Sequence, residues 1–145
     1  MKRATIIAIL AGLAILAVPA SASAATVKHT GNLIGNPATP VKLTVVKKQG
    51  KATRIRGFTL RNVIMNCTDG QVRFSFLKAF GAIRVRGGTR FGVRLPERGG
   101  TGSMRLRGKV RKQGRKTRGT VKATLTGTEF DTCRLAKSRF RTRKA

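Results

Sequence analysis

Acidic residues are scarce in this chain of 145 residues, which has four Asp and Glu against 32 Lys and Arg and a formal net charge of +28 at pH 7. The sequence also contains no Trp, no Tyr and only one His, His29. General acid–base catalysis needs positioned titratable groups, and such groups are few here. The composition therefore argues against an enzyme, and we predict no catalytic residue and no cofactor.

Glu129 and Asp131 are the only carboxylates close together in the sequence. On a strand they would share one face, since alternate side chains point the same way. They could hold a divalent cation, but hard cations usually take roughly six to eight oxygen ligands. His29 also lacks a second His at zinc-site spacing. We predict no metal site, and we keep an enzyme that acts on an acidic polymer through Glu129 and Asp131 as an alternative.

The N-terminal residues have the pattern of a secretory signal peptide. Lys2 and Arg3 precede an uncharged apolar run of thirteen residues at 6–18, and Pro19 and small residues follow. This arrangement is typical of an export signal. A membrane anchor is the alternative, but a spanning helix needs about 20 strongly apolar residues. We predict a helical signal peptide at 1–24 and one domain at 25–145, secreted or associated with the cell envelope, with no transmembrane span after cleavage.

The two cysteines, Cys67 and Cys133, both lie in the predicted exported part. Losing Lys2 and Arg3 would leave a charge of +26, two below that of the whole chain, and self-repulsion of this size opposes compactness. In an oxidising compartment one disulfide is the simplest use of such a pair. Two free thiols or a redox pair are the alternative, although no C-x-x-C spacing supports them.

Apolar and charged residues alternate along most of the predicted domain. In segments 103–111 and 117–125 the apolar and small residues share one strand face, and charged or polar residues occupy the other, as expected for β-structure. Asp69-Gly70 is typical of a tight hairpin. Turn signals recur roughly every eight to twelve residues. The predicted strands cover 40–46, 53–60, 63–67, 72–76, 82–86, 90–95, 103–111, 117–125 and the C-terminal segment. The sequence predicts an all-β domain of about eight or nine short strands, either an antiparallel β-sandwich or a small barrel.

The basic C-terminal segment, 133–145, continues this alternation. Its pattern predicts a final strand that turns Ala136, Ser138, Phe140 and Thr142 inward, with residues 143–145 frayed. A disordered basic tail is the alternative. Strand order is not determined by the pattern.

Cations on the outer strand faces are the candidate binding residues. Rows of Lys and Arg would attract anionic polymers, and salt would weaken that attraction. The predicted partners are wall polymers, acidic polysaccharides, lipid headgroups or extracellular nucleic acid. The candidate residues are Arg105, Arg107, Lys109, Arg111, Arg118, Lys122, Lys137, Arg139, Arg141 and Arg143.

The charge has two other interpretations. Lys and Arg can keep a sheet soluble and its edges unpaired, so a structural or protein-interaction module with incidental charge is the alternative function. Residues 78–85 have a faint likeness to an RNA-recognition strand, but they lack the aromatic residues at the stacking positions. We therefore expect no specific recognition of nucleic acid.

The order of these features resembles that of small exported two-cysteine β-proteins of unknown function from high-GC bacteria. The resemblance rests on a Cys before an Asp-Gly turn at 67–70, a basic hairpin at 107–121 and a late Cys that opens a basic strand at 133–143. It implies a β-sandwich tied by a disulfide, and it implies no catalytic residues.

Overall fold

The computed structural model describes residues 23–79, 81–96, 101–127 and 132–145. No helix occurs within these ranges, and so none that could span a membrane. Residues 1–22 of the predicted signal peptide lie outside them. The all-β prediction is confirmed. The strands are β1 (Ala25–Leu33), β2 (Asn36–Lys48), β3 (Lys51–Cys67), β4 (Gly70–Lys78), β5 (Ile83–Arg86), β6 (Arg90–Pro96), β7 (Thr101–Arg111), β8 (Lys116–Thr126) and β9 (Thr132–Lys144).

These strands form one antiparallel sheet whose ends meet. Neighbours follow the order β2-β1-β9-β8-β7-β6-β5-β3, and β3 pairs back with β2. The pairing therefore closes a ring of eight strands, and β4 is attached to the second half of β3. Of the two architectures that the turn spacing allows, the structure has the small closed barrel and not the β-sandwich.

The long strand β3 closes the ring because it pairs with four others. Its first half lies between β2 and β5, and its second half pairs with β4 and finally with β9. The sequence predicts two separate strands, 53–60 and 63–67, and this is wrong. Asn62 has a φ of 51°, which bends the strand and lets both Leu60 and Val63 point inward without ending the ladder.

Strand β1 is absent from the sequence prediction. Its residues, ATVKHTGNL, show little apolar alternation, so period alone does not reveal a strand. Pairing with its neighbours makes it a strand, since β2 pairs along the whole length of β1 and β9 pairs with its second half.

An interior row of two phenylalanines and two glycines crosses strands β6 to β9. Phe91, Gly108, Gly119 and Phe140 lie directly opposite one another in that order. A Cβ on Gly108 would lie 2.5 Å from Cζ of Phe91, and one on Gly119 would lie 2.8 Å from Cζ of Phe140. The rings therefore fill the space above the glycines. Phe140 also packs edge-on against Phe58, with ring centroids 5.2 Å apart.

The predicted disulfide between Cys67 and Cys133 is present. The two residues are directly opposite at the ends of β3 and β9, just beyond the tip of the β1–β2 hairpin. Next to them, the backbone N–H of Thr68 donates to the carbonyl of Thr132 at 3.1 Å. The bond thus joins the two strands that meet where the intervening hairpin ends.

The C-terminal segment is a strand, as predicted, and Phe140 is buried at 1% exposure. The expected fraying of 143–145 is wrong. Strand β9 runs to Lys144, and the backbone N–H of Ala145 donates to the carbonyl of Lys28 at 2.9 Å. The inward placement of Ala136 is also wrong. A register shift between Val121 and Ala123 opposite this point leaves Ala136 exposed.

We expect Gly119→Ala to lower the free energy of unfolding by about 1–3 kcal/mol, the usual cost of overpacking. The added methyl group would meet the Phe140 ring and the backbone of β7. Denaturant unfolding measures the change. Gly92→Ala is the matched control, because its Cβ would meet nothing closer than 3.6 Å. Equal effects of the two substitutions would contradict the proposed packing.

Removing the disulfide with Cys67→Ala and Cys133→Ala should destabilise the fold by about 4 kcal/mol, because the bond closes a long loop in the unfolded chain. The sequence separation of the two residues is 66. Chemical denaturation of the oxidised protein, the reduced protein and the double variant provides the measurement. The reduced protein and the variant should agree. A difference of less than about 1 kcal/mol from the oxidised protein would show that the bond contributes little.

Candidate functional site: a cationic face on β6 to β9

The ten candidate cations of the sequence analysis all lie on three adjacent strands, β7, β8 and β9, and all are exposed. Their side chains alternate with inward residues such as Leu106 and Val121, both 0% exposed. Alternation therefore turns the charge outward while the opposite face fills the barrel. We call the outward Lys and Arg residues of β6 to β9 the cationic face.

Strand register places many of these cations directly opposite one another. Neighbouring strands lie about 4.8 Å apart, and the Cβ atoms of opposite residues lie about 4.5–5.5 Å apart. The cations therefore form rows across the strands. The rows are Arg90–Lys109–Arg118–Arg141, Arg94–Arg105–Lys122 and Arg111–Lys116–Arg143.

Three members of these rows are not among the ten candidate cations from the sequence: Arg90, Arg94 and Lys116. Arg90 and Arg94 alternate with apolar residues in the predicted strand 90–95, and this alternation is the signal that identifies them. That β6 lies beside β7 is decided only by the fold. Lys116 precedes the predicted strand 117–125, although it lies two residues before Arg118 and so shares its outward face.

Among the described residues, little negative charge compensates the positive charge of the face. Asp69, the one acidic residue within the described ranges, lies in the turn between β3 and β4. The pKa of Lys116 is lowered from its usual value, chiefly by the charge of Lys112 and then by that of Arg143. Like charges directly opposite one another destabilise a sheet. The rows are thus an energetic cost to the isolated domain.

His29 is buried beneath the turn between β7 and β8, at 1% exposure. Its Nε2–H donates to the carbonyl of Gly114 at 2.7 Å, since a carbonyl oxygen can only accept. Its Nδ1 then accepts from a threonine hydroxyl, with Thr117 and Thr142 each 3.2 Å away. Both ring nitrogens are therefore occupied, and His29 anchors the turn.

The alternative catalytic pair, Glu129 and Asp131, falls in segment 128–131, outside the described residues. Within the described ranges, no three His, Cys, Asp or Glu side chains come together as a metal site would require.

Comparison of the chain with models of protein families, with characterised proteins and with solved structures found no match. The geometry and charge of the barrel are therefore the observations on which a function must rest.

Burial of His29 makes the stability of the fold depend on pH. Desolvation lowers the pKa of His29 below its usual 6.5, against a smaller opposing effect of the Gly114 hydrogen bond. As pH falls through 6.5, the unfolded chain takes up a proton that the folded protein resists, so the free energy of unfolding falls. The loss should level off below the folded pKa.

A His29→Gln variant isolates this effect, because the remaining titratable groups are shared with the wild type. We expect the stability advantage of the wild type over the variant to shrink between about pH 7.5 and about pH 5. Urea unfolding at intermediate pH values measures it. An advantage that stays constant or grows on acidification would contradict the neutral, hydrogen-bonded His29.

Proposed function

We propose that the domain is an exported, non-enzymatic module that binds linear anionic polymers through its cationic face. The observation that carries this proposal is the set of cation rows. Each pair of opposite like charges costs a sheet on the order of 0.2–1 kcal/mol. A polymer of repeated anionic groups lying on the rows would replace that repulsion with attraction.

The shape of the face supports a linear ligand. Four adjacent strands present the rows over a width of about 15 Å, from a strand spacing of about 4.8 Å. Along each strand, cations at every second residue repeat about every 6.4–6.8 Å. Long, flexible side chains on an open surface suit contact with the charged backbone of a polymer, and they do not distinguish one monomer sequence from another. Wall polymers, acidic polysaccharides and extracellular nucleic acid offer phosphate, sulfate or carboxylate groups in this form, whereas lipid headgroups offer them side by side on a membrane surface.

The proposed location outside the cytoplasm fits the covalent structure. Disulfides persist in oxidising compartments, and the Cys67–Cys133 bond is consistent with an exported protein. The signal peptide at 1–24 is the proposed means of export. In that setting the charge would meet envelope and extracellular polymers before it met cytoplasmic nucleic acid.

The test is a variant that removes three cations from the face: Arg105→Gln, Arg107→Gln and Arg139→Gln. Each released counterion contributes about 0.7 to the slope of log K against log salt for single-stranded polymers. We expect the slope for oligo(dT) to become shallower by about 2, with weaker binding to heparin. Fluorescence anisotropy between about 50 mM and 300 mM salt measures both.

The matched control removes the same charge from the other side of the barrel: Arg56→Gln, Arg61→Gln and Arg73→Gln, all exposed on β3 and β4. This variant should bind nearly as well as the wild type. Equal losses in the two variants would mean that net charge alone is responsible and that the charge of the face is incidental. Binding that ignores salt would overturn the electrostatic mechanism.

A further inference from the structure

A cleft of about 460 Å³ opens at the end of the barrel where β5 turns into β6 and β7 turns into β8. Four cations are among its lining residues: Lys51, Lys109, Arg111 and Lys112. Lys51 begins β3 and Lys112 lies in the turn between β7 and β8, and neither is part of the cationic face. The lining contains no acidic residue; the others are glycine, threonine, valine and glutamine.

The walls of this cleft are held in place by hydrogen bonds. The backbone N–H of Val110 donates to the carbonyl of Thr89 at 2.7 Å, which joins β7 to the β5–β6 turn. The carbonyl of Gly114 is held from below by His29 at 2.7 Å. Gly88 adopts a φ of 68°, and an added Cβ there would contact the Lys51 side chain at 3.6 Å. The backbone around the cleft is therefore in place before a ligand binds, which reduces the ordering cost of binding.

The size and charge of the cleft define the class of ligand. Its volume lies within the range of about 300–1,000 Å³ that small-molecule sites have, and it is far larger than the roughly 30 Å³ share of one water molecule. It can therefore hold more than a single oxyanion. Four cations favour a group with more than one negative charge, and a phosphate monoester carries about −1.5 to −2 at pH 7.

We propose that this cleft binds a phosphate monoester carried on a sugar-sized group, and that through it the domain recognises the phosphorylated ends of anionic polymers. Arg111 can hold two oxygens of the phosphate at once, whereas the lysines act as point charges around it. The apolar stems of these side chains and the glycine turns leave room for the sugar. Recognition of polymer ends rests on the proposed function, while binding of a free sugar phosphate does not.

The first experiment titrates glucose 6-phosphate into the exported protein and follows binding by NMR and calorimetry. The cleft variant, Lys51→Gln with Lys112→Gln, should bind it about tenfold more weakly or worse. Both side chains are exposed, so the variant should fold, and thermal unfolding checks this. The matched control, Arg105→Gln with Arg107→Gln, removes equal charge outside the cleft and should bind as the wild type does. Equal weakening in both variants would overturn the site.

A second titration tests the preference for a doubly charged group. Glucose 6-sulfate has a similar shape but a single charge, and it should bind at least about fivefold more weakly than glucose 6-phosphate. Equal affinity would overturn the assignment to phosphate monoesters.

The pKa of Lys116 provides a spectroscopic signature. The neighbouring Lys112 lowers that pKa, so a dianion bound at Lys112 should raise it. No change on saturation would place the ligand elsewhere.

The third experiment compares oligo(dT) with and without a 5′-phosphate. The phosphorylated polymer should bind more tightly to the wild type, and the cleft variant should lose the difference but keep the salt dependence. The variant with Arg105→Gln, Arg107→Gln and Arg139→Gln should keep the effect of the 5′-phosphate but show a shallower salt dependence. If oligo(dT) does not bind but glucose 6-phosphate does, polymer binding by the cationic face is refuted and the phosphate site in the cleft is retained. If the 5′-phosphate has no effect on the wild type, end recognition is refuted whatever the polymer affinity.

Discussion

Repulsion among the outward cations is the constraint that the rest of the structure must overcome. The rows on β6 to β9 set like charges side by side, and the described residues include a single acidic side chain, that of Asp69, to oppose them. The stability of the fold must therefore come from contacts inside the barrel. The ring of strands encloses one apolar cluster that includes Phe58, Phe91 and Phe140, and the closed ladder satisfies backbone groups that an open edge would leave exposed. The covalent bond between β3 and β9 adds to these contributions.

Ring closure and the disulfide also determine where the charges lie. Strand β9 is held at its start by Cys133 and at its end by pairing with β1. With both ends fixed, its register against β8 is fixed too, and so is the position of each cation in its row. The features that stabilise the fold are thus the ones that hold the face in a repulsive arrangement. A surface kept under such repulsion is one that gains from an anionic partner.

Local pattern predicted some strands well and others badly, for physical reasons. Alternation identified β7 and β8 because both pack one apolar face into the interior and expose the other. It failed at β1, whose order depends on β2 and β9. It also split β3 at Asn62, where a left-handed residue restores the inward phase without ending the strand. In β9 it misplaced Ala136, because the irregular pairing opposite Val121 and Ala123 cannot be read from β9 alone.

The sequence by itself determined the chemistry of this protein: an excess of cations, two cysteines placed to pair, and strands with one apolar and one charged face. These follow from composition and from the two-residue period of a strand, which are local properties. Only the tertiary structure decided that the sheet closes, that Arg90 and Arg94 join the rows of β7 to β9, and that Lys51 and Lys112 line the same cleft. Such juxtapositions depend on the order and register of strands distant in the chain, and a local pattern carries no information about them.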